Sequence, residues 1–135
     1  MSNFIRITPF INVPDLEEAI HFFVDILGFT LWGKSDDFAY VQRECAAFRI
    51  LQTSPGNDFI PGNRRFAYYI DVEDVEAIYA ELKPKLDTLP GGHVYGPKDQ
   101  AYGQRELILR APDGNLLAFG QSIHPMPNAV LKFED

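Results

Sequence analysis

The sequence predicts an α+β fold of two related βαβββ modules, with curved mixed sheets forming a groove. Three observations carry this. The segment Ala101 to Gln121, AYGQRELILRAPDGNLLAFGQ, reads as a strand, a Pro112-Asp113-Gly114-Asn115 turn and a second strand. The two helix starts look alike: Val13-Pro14-Asp15-Leu16 with Glu18-Ala19-Ile20 resembles Val72-Glu73-Asp74-Val75 with Glu76-Ala77-Ile78, apart from one residue of slippage. Each half also carries one amphipathic helix, enough to cover one face of its sheet and leave the other free.

The first strand is expected over Phe4–Val13, with Ile5, Ile7, Ile11 and Val13 on a core face and Thr8, Phe10 and Asn12 on the other. Pro9 lacks a donor and suits either a plain edge or a place where chains are exchanged between subunits. Asp15 caps a helix with Glu18 three residues on, and Leu16, Ala19, Ile20, Phe23 and Leu27 fall at helical spacing until Gly28. Strands follow near Phe29–Gly33, Phe38–Arg43 and Ala46–Gln52, then a polar loop over Thr53–Asn63.

The pattern restarts with a strand at Phe66–Val72 and a helix capped by Asp74, ending about Lys83, with Val75, Ile78, Tyr79 and Leu82 on its apolar side. The stretch holding Pro84, Pro90, Gly91, Gly92, Gly96 and Pro97 allows one weak strand near His93–Tyr95. The hairpin Arg105–Arg110 with Leu116–Gln121 closes the second half. Its last strand turns Leu116, Ala118 and Gly120 to the free face, and none of these binds metal or moves a proton. The expected organisation is one domain over 1–121, module one about 1–53 and module two about 64–121, followed by a C-terminal extension, 122–135, read as an extended arm with a turn of helix.

Twelve basic and nineteen acidic side chains give a net charge of -7, which argues against nucleic acid and is compatible with a cationic partner or with plain solubility. No apolar run is long enough to span a bilayer, and no secretory leader is evident, so a cytoplasmic location is expected. The single cysteine, Cys45, excludes an internal disulfide and is expected at a turn or strand. His21, His93 and His124 form no metal-ligand spacing and are read as structural or solvent-facing.

Four blocks in order, ITPFINVPDLEEAIHFFVDILGF, DDFAYVQR, FAYYIDVEDVEAIYAEL and YGQRELILRAPDGNLLAFGQ, resemble the bleomycin-resistance proteins of the vicinal-oxygen-chelate (glyoxalase/bleomycin resistance/dioxygenase) superfamily. The resemblance covers nearly the whole chain to Gln121. It implies paired βαβββ modules and a homodimer with grooves between subunits. The resemblance also implies that the metal-ligand positions of the superfamily's enzymes fall on Thr8, Arg49, Ala67 and Ala118 here; all four are poor ligands for a divalent ion. The resemblance therefore implies no cofactor and favours a binding protein over an enzyme.

The candidate ligand-binding residues are Trp32, Phe38, Tyr40, Arg49, Tyr69 and Tyr102, with no catalytic residue assigned. Flat rings bordering a groove stack on planar ligands or face cations, although each ring singly is as readily a core or cross-strand partner. Tyr102 precedes Gly103 in a loop and stands where the family commonly has a drug-stacking tryptophan in a WGxRE-like motif. Arg49 needs a partner, either an acidic neighbour such as Asp71 or an anionic ligand. Asp36 and Asp37 are read as a solvated turn or as an attractor of positive charge, and Arg105-Glu106 as a structural pair orienting the hairpin. The expected function is metal-free sequestration of a small planar or cationic molecule, such as a bleomycin-like antibiotic, in a dimer groove. The alternatives are a metal-dependent lyase or dioxygenase of the same superfamily, or a binder of an unrelated metabolite.

Overall fold

The computed structural model describes residue 3, residues 5–53 and residues 66–123. The expected 53–63 loop beyond Thr53, His124 and the rest of the C-terminal extension beyond Ile123 lie outside the described residues. No described helix is long and apolar enough to cross a membrane.

The described residues fall into two compact units, within Met1–Ala67 plus Arg110–Leu116 and within Tyr68–Leu109 plus Leu117–Asp135. The first half runs β1 (Phe10–Val13), α1 (Leu16–Ile20), a π-helical continuation (His21–Ile26), β2 (Thr30–Lys34), β3 (Phe38–Arg43) and β4 (Ala46–Gln52). The second runs β5 (Ala67–Asp71), α2 (Val75–Leu86), β6 (Val94–Asp99), β7 (Gln104–Arg110) and β8 (Leu116–Ser122). Both are βαβββ, and their sheets have the same strand order, β1-β4-β3-β2 and β5-β8-β7-β6. In the first sheet β1 is parallel to β4 and the other pairings are antiparallel.

The helix starts are built alike. The carboxylates of Asp15 and Asp74 accept from the backbone N–H of Glu18 and Ala77, both at 3.1 Å. A glutamine from the last strand of each half takes a further free donor, Gln52 from Leu16 N–H at 2.7 Å and Gln121 from Val75 N–H at 2.9 Å. The duplicated start therefore includes a long-range cap from each module's fourth strand.

Several sequence expectations are corrected. The first strand begins at Phe10, not Phe4, and Ile5 and Ile7 are exposed instead of belonging to the core face. Pro9 contributes only its carbonyl, which accepts from Arg49 N–H at 2.9 Å, so the ladder to β4 opens after it. The first helix is not α-helical to Leu27. It widens after Ile20, with Leu27 N–H bonding the carbonyl of Phe22, and the extra residue per turn brings Phe22 as well as Phe23 into the core. Phe22, Phe23, Phe29 and Phe48 meet there in edge-on and tilted pairs with centroids 5.2–6.0 Å apart.

The second helix passes Pro84 and ends at Leu86. Leu86 is buried, and Lys83 pairs with Asp87 at 3.2 Å, so contacts of the last turn hold a helix the proline alone would end. β6 is six residues long, not a weak three-residue piece. As an edge strand it admits Pro97 through a register shift between Tyr95 and Lys98. Gly96, at φ +91°, is required there because a Cβ would run into the carbonyl oxygen of Glu106.

Alternation along the strands separates core from open face. In the first sheet Ile11, Val13, Ala39, Val41, Phe48 and Ile50 are buried, while Phe10, Asn12, Phe38, Tyr40, Arg49 and Leu51 are half-buried or exposed on the opposite side. In the second, Leu107, Leu109, Leu117 and Phe119 are buried, leaving Leu116, Ala118 and Gly120 on the other face as expected.

Candidate functional site

Strand register places three of the candidate residues side by side on the open face of the first sheet. Arg49 lies opposite Phe10 on one side and Tyr40 on the other, and Phe38 is two residues before Tyr40. The Arg49 guanidinium sits over the Tyr40 ring at 5.1 Å from its centroid, and its Nε donates to Thr8 Oγ1 at 3.0 Å. A cation over a tyrosine at such a site contributes about 0.5–1 kcal/mol. Arg49 thus takes a ring and a hydroxyl as partners, and no carboxylate pairs with it among the described residues.

Trp32 is not brought into this row. It sits at the bulge between Leu31 and Gly33 on edge strand β2 and is 67% exposed. Asp36 and Asp37 form an exposed turn in which Ser35 Oγ donates to Asp37 Oδ1 and Gln52 N–H to the Asp37 carbonyl. Cys45 is exposed in the two-residue turn joining β3 to β4. His21 is exposed, its Nδ1 2.7 Å from Asp25 Oδ2 one helical turn on.

In the second unit Tyr69 and Tyr102 converge on one carboxylate. Tyr102 projects from the turn before β7 and is 60% exposed, yet its hydroxyl is 2.8 Å from both oxygens of Glu106. Tyr69, on β5, donates to Glu106 Oε2 at 2.9 Å and lies 3.0 Å from the Gln104 side chain. Glu106 itself is only 5% exposed. Its side chain shares a face of β7 with Gln104 and reaches Tyr69 above Gly120 on β8. A Cβ at residue 120 would collide with the Tyr69 ring and hydroxyl, so glycine is what lets the phenol cross.

The electrostatics follow from this packing. Desolvation, then the neighbouring Glu106 carboxylate, raises the Tyr69 phenol well above its ordinary 10.0. The hydrogen bond to Glu106, then desolvation, raises Tyr102. No Lys or Arg pairs with Glu106 among the described residues, so two phenols are the partners of a nearly buried carboxylate.

Glu106 is the residue that sequence reasoning missed. Arg105 and Glu106 do not act as a pair; Arg105 crosses to Asp99 at 2.6 Å on β6, and Glu106 points the other way. The signal was the strand period: Gln104 and Glu106 fall on the face that Gly120 opens. A cavity of about 290 Å³ in this unit, between the end of α2 and the Gly91-Gly92 turn, contains none of the candidate residues.

The paired βαβββ order and this open-face chemistry coincide with a family match. The model of the Glyoxalase/Bleomycin resistance protein/Dioxygenase superfamily matches residues 4–119. The chain belongs to this superfamily. Among its relatives, a bleomycin resistance protein of Geobacillus stearothermophilus is 29% identical over 130 residues, spanning 85% of this chain and 95% of the relative. The bleomycin-binding protein of Streptomyces verticillus, solved with copper(II)-bleomycin, is 25% identical with a TM-score of 0.67, covering 90% of this chain and 99% of that one. A superfamily member from Nocardioides shares the fold at TM-score 0.70 and 19% identity, over 96% and 92% of the two chains.

The residues standing where the resemblance expects metal ligands do not make a donor set for a divalent ion. The Thr8 hydroxyl is engaged by Arg49, Arg49 is itself a cation, and Ala67 and Ala118 offer no donor atom. No cluster of three or more His, Cys, Asp or Glu able to hold an ion occurs among the described residues.

Proposed function

We propose that this protein binds a small planar or cationic antibiotic of the bleomycin type and protects by sequestration, without converting it. A homodimer whose grooves hold the ligand is part of this reading, with Trp32, Phe38, Tyr40, Arg49, Tyr69 and Tyr102 as its contacts. The observation that carries it is Tyr102. An exposed ring stands where the resemblance expects a drug-stacking aromatic, and its hydroxyl is tied down by a buried carboxylate. Exposed aromatic surface held in one orientation loses little entropy on stacking. The net charge of -7 and relatives that are themselves a bleomycin resistance protein and a bleomycin-binding protein add support.

Calorimetric titration with bleomycin, with and without copper(II), tests the reading, together with growth protection of a sensitive host. Micromolar or tighter binding, with the drug recovered unchanged, is the expected result. Binding weaker than millimolar removes bleomycin as the ligand. Stoichiometric nickel, zinc, manganese or iron in protein purified without chelator, coupled to turnover of a substrate, overturns sequestration in favour of catalysis.

A further inference from the structure

Glu106 places a carboxylate where no counter-ion stands among the described residues. Its carboxylate is 5% exposed, both oxygens face phenol hydroxyls, and no cation pairs with it among the described residues. Burying a carboxylate without a counter-ion is costly unless hydrogen-bond donors are held in place against it. The holding is visible in the packing: Tyr69 reaches Glu106 only because residue 120 is glycine. On the outer side, the same carboxylate binds the hydroxyl of Tyr102, whose ring stays exposed.

An O–H bonded to an anion pushes electron density into its ring, and a negative charge behind the ring adds to the attraction that its face exerts on a cation. A neutral planar group gains only dispersion and burial from the same face. We propose that Glu106, positioned by Tyr69 and Gly120, orients the Tyr102 ring and makes it a plate selective for planar cations over neutral planar groups of the same shape. This rests on the reading of Tyr102 as ligand surface and adds the ligand's charge class and the residues that set it. Glu106 is a positioning residue, since the phenols cover its carboxylate; the Tyr102 ring, 60% exposed, presents the plate, and Tyr69, 47% exposed, both holds Glu106 and borders that surface.

The test uses two simple probes, N-methylquinolinium as the cation and quinoline as its neutral counterpart at pH 7.5, titrated into the wild type and into Glu106→Gln, Tyr69→Phe and Tyr102→Phe. The wild type is expected to prefer the cation about tenfold, the size of an oriented aromatic contact. Glu106→Gln should abolish the preference, and Tyr69→Phe should reduce it with the fold intact by circular dichroism. In ligand-free protein, carbon-13 relaxation of labelled tyrosine should show the Tyr102 ring ordered in the wild type and mobile in Glu106→Gln. Equal affinity for both probes, no detectable cation binding, or a Tyr102 ring equally mobile in both proteins overturns the proposal. Failure of bleomycin alone to bind strikes the antibiotic reading and leaves these outcomes to decide the plate.

Discussion

The hydroxyl of Tyr69 occupies the space that a side chain on Gly120 would need, so a phenol from β5 lies across β8 to reach Glu106 on β7. One absent methyl thus determines whether a buried carboxylate keeps one of its two donors.

Gly120→Ala is expected to destabilise the protein by about 1–3 kcal/mol, the usual cost of inserting a methyl group into filled space. Denaturant midpoints measure it. The backbone at Gly120 is not in the left-handed region, so the cost should come from the clash and should largely vanish in a Tyr69→Ala background. An equal cost in both backgrounds would show that the tyrosine is not its source.

Alkaline titration reads the same cluster electrically. Tyr69 and Tyr102 are both raised above 10.0 in the folded chain, so above that pH the folded state retains protons that the unfolded state has lost. Their contribution to stability is complete below pH 10 and is lost as pH rises through the folded values. Phenolate absorbance should show two late-titrating rings among the six tyrosines, and Glu106→Gln should return Tyr102 to earlier ionisation. A wild-type curve with no late component would contradict the network.

The turn between β7 and β8 gives an acid-side expectation. Desolvation raises the Asp113 carboxyl above its ordinary 3.8, opposed by hydrogen bonds from the Asn115 backbone and side chain at 2.9 and 2.8 Å. The folded state then binds the proton more tightly than the unfolded one, so this group's contribution falls as pH rises from 3.8 through the folded value. Asp113→Asn keeps an oxygen to accept from Asn115 and should remove that part of the stability slope. Thermal midpoints at several pH values around 4 test it, and an unchanged slope assigns the dependence to other carboxylates.

Most of the fold was legible in the residues because its signals are local. Period-two alternation put Ile11 and Val13 on one side and Phe10 and Arg49 on the other, and Asp15 and Asp74 marked two helix starts. What escaped were departures that neighbours enforce. The π-helical turn buries Phe22 edge-on against Phe23, which itself packs on Phe29 and Phe48, and α2 continues past Pro84 to a buried Leu86. Ile5 and Ile7 carry the right alternation and are exposed nonetheless, since periodicity says which residues share a face and not what covers it.

For the candidate site, the sequence by itself determined the residue types: rings at 38, 40, 69 and 102, a lone arginine at 49, and no metal donor at 67 or 118. Composition and order along the chain are enough for that, and for the family. Only the tertiary structure decided the partnerships. Arg49 joined Tyr40 and Thr8, while Glu106 left its sequence neighbour Arg105 for two tyrosines four and thirty-seven positions away. The physical reason is that a hydrogen bond depends on distance across strands, which pairing register and a missing Cβ at residue 120 set together.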